Sequence, residues 1–213
     1  MKKRLLAILL TVCMVLSMAP AALAADSVFT DVKADDWYAD EIKWVYDEGL
    51  MDGVGGDSFA PETTTTRAML VTILWRLEGK PAPAAANPFT DVPAGEWYTE
   101  AVVWAAENKI VEGYGANLFG PTDELTREQM VTILYRYAQY KEYDVETEGD
   151  LSAYTDAAHV SGYAIEPLRW ACGVGLIQGM ESADGAGMIL DPQGDATRAQ
   201  AATIIMRLCT SVL

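Results

Sequence analysis

Three threonine–arginine pairs are the residues of this sequence best suited, by type and spacing, to hold a charged ligand. They are Thr66-Arg67, Thr126-Arg127 and Thr197-Arg198, and we call Arg67, Arg127 and Arg198 the motif arginines. Each begins a long apolar stretch that predicts a helix. An arginine in the first turn of a helix lies at the positive end of its dipole, which costs about 0.3–1 kcal/mol at an exposed site. A bound carboxylate or phosphate would reverse that cost, because free backbone N–H groups and the forked guanidinium can hold one anion together.

The residues alone leave one alternative open for the motif arginines. A carboxylate from a neighbouring turn could pair with each of them, and the candidates are the motif aspartates Asp31, Asp91 and Asp156. These aspartates follow an aromatic residue and a threonine, a pattern that is also typical of a turn closed by the aspartate side chain. Because the locally unfavourable arginine recurs three times, we predict that the motif arginines bind an anion.

Aromatic pairs follow the first two motif aspartates at identical spacing. Trp37-Tyr38 and Trp97-Tyr98 occupy this place in copies one and two, whereas Gly162-Tyr163 occupies it in copy three. The sequence therefore predicts that copy three has lost its tryptophan. The sequence leaves two roles for Trp37 and Trp97, which are a core position and a partly exposed platform for a sugar.

These residues belong to a unit that occurs three times and must position them. Successive motif aspartates are 60 and then 65 residues apart, whereas successive motif arginines are 60 and then 71 apart, so the third copy is expanded internally. Helical apolar spacing predicts a first helix in each copy, over 38–48, 98–108 and 163–172. A glycine that suits a left-handed or close-approach turn follows each first helix, at Gly53, Gly113 and Gly179.

The threonines predict the start of a second helix in each copy. Thr66, Thr126 and Thr197 are predicted N-caps, and Gln129 and Gln200 stand where a capping box needs them. The predicted fold class is therefore all-α, with six main helices, two per copy, around a shared core. Copies of about 60 residues are marginal alone, so burial between copies is expected.

The N-terminus and the charge limit the classes of function. Residues 1–24 carry Lys2, Lys3 and Arg4, an apolar run and a terminal Ala-Leu-Ala, which predicts a secretory signal peptide. No later segment predicts a membrane span. Removal of the signal peptide changes the formal charge from −16 to −19, because it contains three cations and no acid. Such an acidic protein repels nucleic acid, so any bound anion needs a local pocket.

The sequence favours neither catalysis nor a cofactor. The chain has one histidine, His159, and none of the common nucleophile, phosphate-loop or zinc-hydrolase motifs. The segment from Glu181 to Gly187 contains Asp184-Gly185 but lacks the alternating acid ligands of a calcium loop, so no metal site is predicted there. Cys172 and Cys209, which remain after removal of the signal peptide, could form a disulfide in an oxidising compartment or remain buried thiols.

The order Phe-Thr-Asp-Val, Trp-Tyr, a helix followed by glycine, Phe-x-Pro and Thr-Arg resembles the S-layer homology module. Three such modules would occupy residues 28–80, 88–140 and 153–210. The resemblance implies a pseudo-three-fold spindle of helix-loop-helix modules around a central helix bundle, with ligand grooves between modules. Members of this family anchor exported proteins to the bacterial cell wall through an anionic secondary cell wall polysaccharide, commonly one with pyruvylated amino sugars.

The resemblance also assigns site residues. It places the family's Thr-Arg-Ala-Glu motif on Thr66, Thr126 and the motif arginines, although the closing glutamate is missing from all three copies. It implies groove positions for Trp37, Trp97, Gly53 and Gly113, and we include Asp31 and Asp91 in the predicted site. Gly162 and the longer loop after Gly179 predict two competent grooves rather than three. The alternative function is a structural or protein-interaction module of the cell surface that binds no glycan.

Overall fold

A computed structural model describes residues 28–212 of the 213-residue chain. The predicted signal peptide lies outside the described residues. Residues 28–212 form six α-helices, which are α1 (Ala39–Asp47), α2 (Arg67–Leu77), α3 (Thr99–Glu107), α4 (Arg127–Tyr140), α5 (Ile165–Gly173) and α6 (Arg198–Arg207). Each sequence copy contributes two of them, as the apolar spacing predicts. A π-helical turn, Leu208–Val212, follows α6.

The second helix of each copy begins at its predicted threonine. The hydroxyl oxygens of Thr66, Thr126 and Thr197 each accept a hydrogen bond from the backbone N–H three residues further on. Gln129 and Gln200 accept a bond in return from the N-cap N–H, so the capping boxes predicted for α4 and α6 are confirmed. These caps fix the first turn of each helix, in which the motif arginine lies.

Helices pack between copies. The first helix of one copy covers the second helix of the copy before it, so that α3 packs on α2 and α5 packs on α4. The first helix of the chain, α1, packs on the last one, α6. The helices of the described chain therefore pack in a closed cycle, in which each copy packs against both of the others.

The loops before α2, α4 and α6 meet in a closed ring of backbone hydrogen bonds. Thr65 N–H donates to the Ala196 carbonyl at 2.8 Å, Ala196 N–H donates to the Leu125 carbonyl at 2.8 Å, and Leu125 N–H donates to the Thr65 carbonyl at 3.0 Å. Because each copy both gives and receives one bond, the ring holds the three helix starts side by side.

A short β-hairpin in copy three corrects the all-α prediction. Strands β1 (Met180–Glu181) and β2 (Met188–Ile189) pair antiparallel within the expanded part of this copy. Each strand has only two residues, too few for an alternating pattern to be recognised in the sequence. The described part of the protein is thus mostly helical with one small sheet. No helix within residues 28–212 has the length and apolarity needed to cross a membrane.

Candidate functional site

The motif arginines are buried at the first position of α2, α4 and α6, with only 5%, 6% and 7% of Arg198, Arg67 and Arg127 exposed. Each guanidinium reaches the loop of another copy. The Nε atoms of Arg67, Arg127 and Arg198 donate to the carbonyls of Phe119, Leu190 and Phe59, at 2.9, 2.7 and 2.9 Å. The side chains that the sequence predicts as ligand contacts therefore also link the copies.

The backbone amides at these helix starts are occupied. At α2 the first two N–H groups donate to the carbonyls of Asp123 and Pro121 in the next copy, and the following two donate to Thr66. The starts of α4 and α6 show the same arrangement. The prediction that free amides and a guanidinium hold one anion together is therefore wrong, because the neighbouring copy already satisfies those amides.

Direct pairing of the motif aspartates with the motif arginines is also wrong for this structure. In the described part of the chain, no carboxylate oxygen lies within ion-pair distance of a motif arginine. Instead, Asp31 accepts bonds from the N–H groups of Phe59 and Ala60, both at 2.8 Å. Asp91 and Asp156 hold the corresponding loops in the same way. The structure shows no local turn closed by these aspartates, because their bonds reach a loop 28 to 35 residues further along the chain.

Each motif aspartate therefore stabilises the loop whose carbonyl holds a motif arginine. The second of the two amides belongs to a residue with a left-handed backbone, with φ of 57° at Ala60, 71° at Gly120 and 50° at Asp191. Burial alone would raise the pKa values of Asp31 and Asp91, but the accepted hydrogen bonds outweigh it and lower both. We assign these aspartates a positioning role, since they line none of the grooves described next.

Three open cavities surround the motif arginines, and we name each groove after its arginine. The Arg198 groove, of about 360 Å³, also contains Gly53, Arg76 and Trp97. The Arg67 groove, of about 240 Å³, contains Gly113, Arg136 and Tyr163. The Arg127 groove, of about 420 Å³, contains Gly179, Arg207 and Trp37. Every groove thus combines residues from all three copies.

The predicted glycines lie where neighbouring atoms approach the backbone closely. A Cβ atom added to Gly53 would lie 2.7 Å from the Ser58 carbonyl oxygen, and one added to Gly113 would lie 2.4 Å from that of Leu118. Gly53 and Gly113 line their grooves, and a larger side chain at either position would clash with the facing backbone. Thr66 and Thr126 cap their helices and do not line a groove, so we assign them a positioning role as well.

A second arginine in each groove was missed by the sequence reasoning. Arg76, Arg136 and Arg207, which we call the second arginines, each lie nine residues after a motif arginine. Arg76 forms an ion pair with Asp52 at 2.7 Å, and Arg136 forms one with Glu112 at 3.2 Å. The constant spacing was the signal that could have revealed them, because nine residues separate the two arginines in all three copies.

An exposed aromatic ring from a third copy completes each groove. Trp37, Trp97 and Tyr163 are 62%, 57% and 55% exposed, so they are not core residues. Tyr163 occupies the place of the tryptophans because Ala164, not Tyr163, directly precedes α5. The alignment that put Gly162 in the tryptophan position was therefore wrong by one residue, and copy three keeps an aromatic side chain. The tyrosine hydroxyl donates to Glu128 at 2.8 Å.

The grooves are local cationic sites on an acidic protein. Burial lowers the pKa of every motif arginine, while nearby acids act in the opposite direction. Arginine nevertheless keeps its proton in proteins. Within residues 28–212, no cluster of three or more metal-ligating side chains is present. The arrangement therefore offers hydrogen-bond donors, positive charge and an apolar ring in each groove.

Cys172 and Cys209 are free thiols in the structure, so the possible disulfide between them is not formed. Cys172 lies against the Gly149 backbone, and Cys209 lies in the turn after α6. Burial raises the pKa of Cys172, and it raises the pKa of Cys209 to about 11. Neither residue lines a groove.

Two segments of the chain match the model of a known protein family. The model of the S-layer homology domain matches residues 28–68 and 88–131. An amylopullulanase of Thermoanaerobacterium thermosulfurigenes is 32% identical over 189 residues, which are 88% of this chain and 10% of that protein. The exoglucanase XynX of Acetivibrio thermocellus is 33% identical over 191 residues, 89% of this chain and 17% of that protein.

A surface-layer 125 kDa protein of Lysinibacillus sphaericus is 32% identical over 197 residues, 92% of this chain and 16% of that protein. The chain spans only 10% to 17% of the length of these three relatives. Residues 28–68 and 88–131 therefore match the S-layer homology domain, and together with the surface-layer relatives this match supports a cell-wall anchoring module located at the cell wall or cell surface.

Proposed function

We propose that this protein is a non-catalytic anchor made of three tandem S-layer homology modules, residues 28–80, 88–140 and 153–210. In this proposal the modules form a pseudo-three-fold spindle around a central helix bundle. Its grooves bind the anionic secondary cell wall polysaccharide. The cyclic helix packing and the ring of backbone bonds between Thr65, Leu125 and Ala196 support the arrangement.

One observation carries the functional proposal. Each groove brings together two arginines and an exposed aromatic ring, three side chains that come from three different copies, and the Arg67 groove also contains the exposed ring of Tyr114. Guanidinium groups recognise carboxylates by charge-assisted hydrogen bonds, and an exposed ring offers a flat apolar surface to a sugar. A pyruvylated amino sugar carries both features, because its ketal bears a carboxylate beside the apolar face of the sugar ring.

Sedimentation with purified wall sacculi tests the proposal. We expect the mature protein to sediment with sacculi and the triple variant Arg76→Gln, Arg136→Gln, Arg207→Gln to bind at least about tenfold more weakly, because a charge-assisted hydrogen bond contributes about 1.5–3 kcal/mol. The second arginines suit this test better than the motif arginines, which are buried and whose bonds join different copies. Arg169→Gln is the matched control, since Arg169 pairs with Glu148 outside the grooves. A folded triple variant that sediments like the wild type would refute glycan binding.

The exposed aromatic rings also fit a protein-interaction module, which is the second candidate. Trp37 and Trp97 could contact a partner protein of the cell surface as readily as a sugar. Sacculi stripped of ketal-linked pyruvate by mild acid separate the two functions. Loss of binding to stripped sacculi supports the polysaccharide as the ligand, whereas unchanged binding supports a protein partner.

A further inference from the structure

The three grooves differ at the residue that directly precedes the groove glycine. Asp52 and Glu112 hold this position in the Arg198 and Arg67 grooves, where they pair with Arg76 and Arg136. The Arg127 groove has Gln178 instead. Its second arginine, Arg207, donates to the Leu176 carbonyl at 3.2 Å and forms no ion pair among the described residues.

The motif arginine of this groove also has more free donors. Arg67 and Arg198 use Nη2 to bind the carbonyls of Glu112 and Asp52, at 2.9 and 2.7 Å. Arg127 has only the bond from Nε to Leu190 within residues 28–212, so its Nη atoms remain available. The turn differs here as well, because Gly179 has φ of 72° whereas Gly53 and Gly113 do not have positive φ.

The missing carboxylate and the free Nη donors of Arg127 both favour binding of an anion in the Arg127 groove. The charged side chains that line the Arg198 and Arg67 grooves are two arginines and one carboxylate, whereas those that line the Arg127 groove are two arginines alone. An anion entering the first two grooves competes with a carboxylate that already holds the second arginine. In the Arg127 groove it meets two positive charges without that competitor.

We infer that the Arg127 groove is the primary anion-binding groove of this protein and that Gln178 sets its higher affinity for a carboxylated sugar. This inference rests on the proposed function. It reverses the sequence-based prediction that the expanded copy three weakens its groove. The insertion forms the β1–β2 hairpin, and Met180 is the only residue of these two strands that lines the Arg127 groove. The Arg127 groove is the largest of the three.

Two tryptophans report separately on two of the grooves. Trp37 lines the Arg127 groove and Trp97 lines the Arg198 groove. Incorporation of 5-fluorotryptophan gives each a fluorine resonance, which Trp37→Phe and Trp97→Phe assign in the ligand-free protein. The probe is a size-fractionated fragment of the native wall polysaccharide.

We expect the Trp37 resonance to reach its titration midpoint at an about five- to tenfold lower fragment concentration than the Trp97 resonance. This difference is what about one unopposed charge near the surface contributes to the binding free energy of an anion. Gln178→Glu should raise the Trp37 midpoint to that of Trp97, whereas the uncharged control Gln178→Ala should change it less than about twofold. Asp52→Asn should lower the Trp97 midpoint. Gln178 and Asp52 are exposed, so these variants should fold.

Equal midpoints in the wild type, or a Trp97 midpoint below that of Trp37, would overturn the inference. A Trp37 midpoint that Gln178→Glu leaves unchanged would overturn the role of Gln178. If neither resonance moves in a folded protein, the proposed glycan binding fails, which is a different result from two grooves of equal affinity.

Discussion

Replacing the buried Arg198 by glutamine should destabilise the fold, because its guanidinium joins two copies. The guanidinium donates to the carbonyls of Phe59 and Asp52, at 2.9 and 2.7 Å, and lies 4.4 Å from the centre of the Phe59 ring. These contacts join the last helix of the chain to the first copy across 139 and 146 residues. Arg198→Gln removes the charge and cannot place donors on both carbonyls.

The expected loss follows from those contacts. A hydrogen bond to a charged group contributes about 1.5–3 kcal/mol, and a cation over an aromatic face adds about 0.5–2 kcal/mol. The contributions of one side chain are not additive, so we expect the free energy of unfolding to fall by about 3–5 kcal/mol. Arg198→Lys should recover less than half of that loss, because a lysine keeps the charge but cannot reach both carbonyls with a planar fork.

Urea denaturation of the mature protein provides the measurement. A lower midpoint with an unchanged slope shows a change in stability rather than in the denatured state. Arg169→Gln is the control, and its exposed ion pair with Glu148 predicts a loss below about 1 kcal/mol. If Arg198→Gln costs no more than this control, the guanidinium does not hold the copies together and the reasoning is refuted.

Three further predictions concern other parts of the same framework. Gly113→Ala should lower the free energy of unfolding by about 2 kcal/mol or more, because the added Cβ would lie 2.4 Å from a carbonyl oxygen. Gly162→Ala is the control and should be neutral or slightly stabilising, because no atom lies within 4 Å of its added Cβ. Equal urea midpoints for the two variants would contradict the close approach. Asp31 and Asp91 have pKa values below the ordinary value, so the stability that they contribute is present above about pH 3.9 and is lost as the pH falls through their lower folded values. The double variant Asp31→Asn, Asp91→Asn should therefore flatten the fall in melting temperature with acid, and an unchanged acid profile would contradict this role. Cys172 and Cys209 should react slowly with iodoacetamide in the folded protein and rapidly in urea, because burial raises both pKa values; a failure to detect two thiols in urea would mean that they are paired.

Local signals in the sequence were sufficient for the helices. Thr66, Thr126 and Thr197 marked the second-helix starts because a cap needs only a hydroxyl and an amide three residues away. Apolar spacing located the first helices to within about two residues. Both signals depend on contacts within one turn, which a single sequence contains in full.

Contacts between copies were the part that local signals could not supply. The sequence showed that Asp31 and Arg198 recur, but not that Phe59 joins them, since its N–H donates to the Asp31 carboxylate and its carbonyl accepts a bond from Arg198. It also suggested free amides at the helix starts, because nothing local shows that Pro121 and Asp123 would occupy those of α2. Comparing spacings between copies, rather than patterns within one, would have revealed the second arginines.

The chain's acidity makes short-range contacts decisive for the proposed binding. With a formal charge of −19 after removal of the predicted signal peptide, the protein repels an anionic polysaccharide at long range. At physiological ionic strength charges are screened beyond about 8 Å, so this repulsion is weak at the distances over which a glycan approaches. Within a groove the partly buried arginines are screened much less. Grooves that gather two cations from two copies and an aromatic ring from the third thus reconcile an acidic exterior with an anionic ligand, and loss of any one copy would remove a residue from all three grooves.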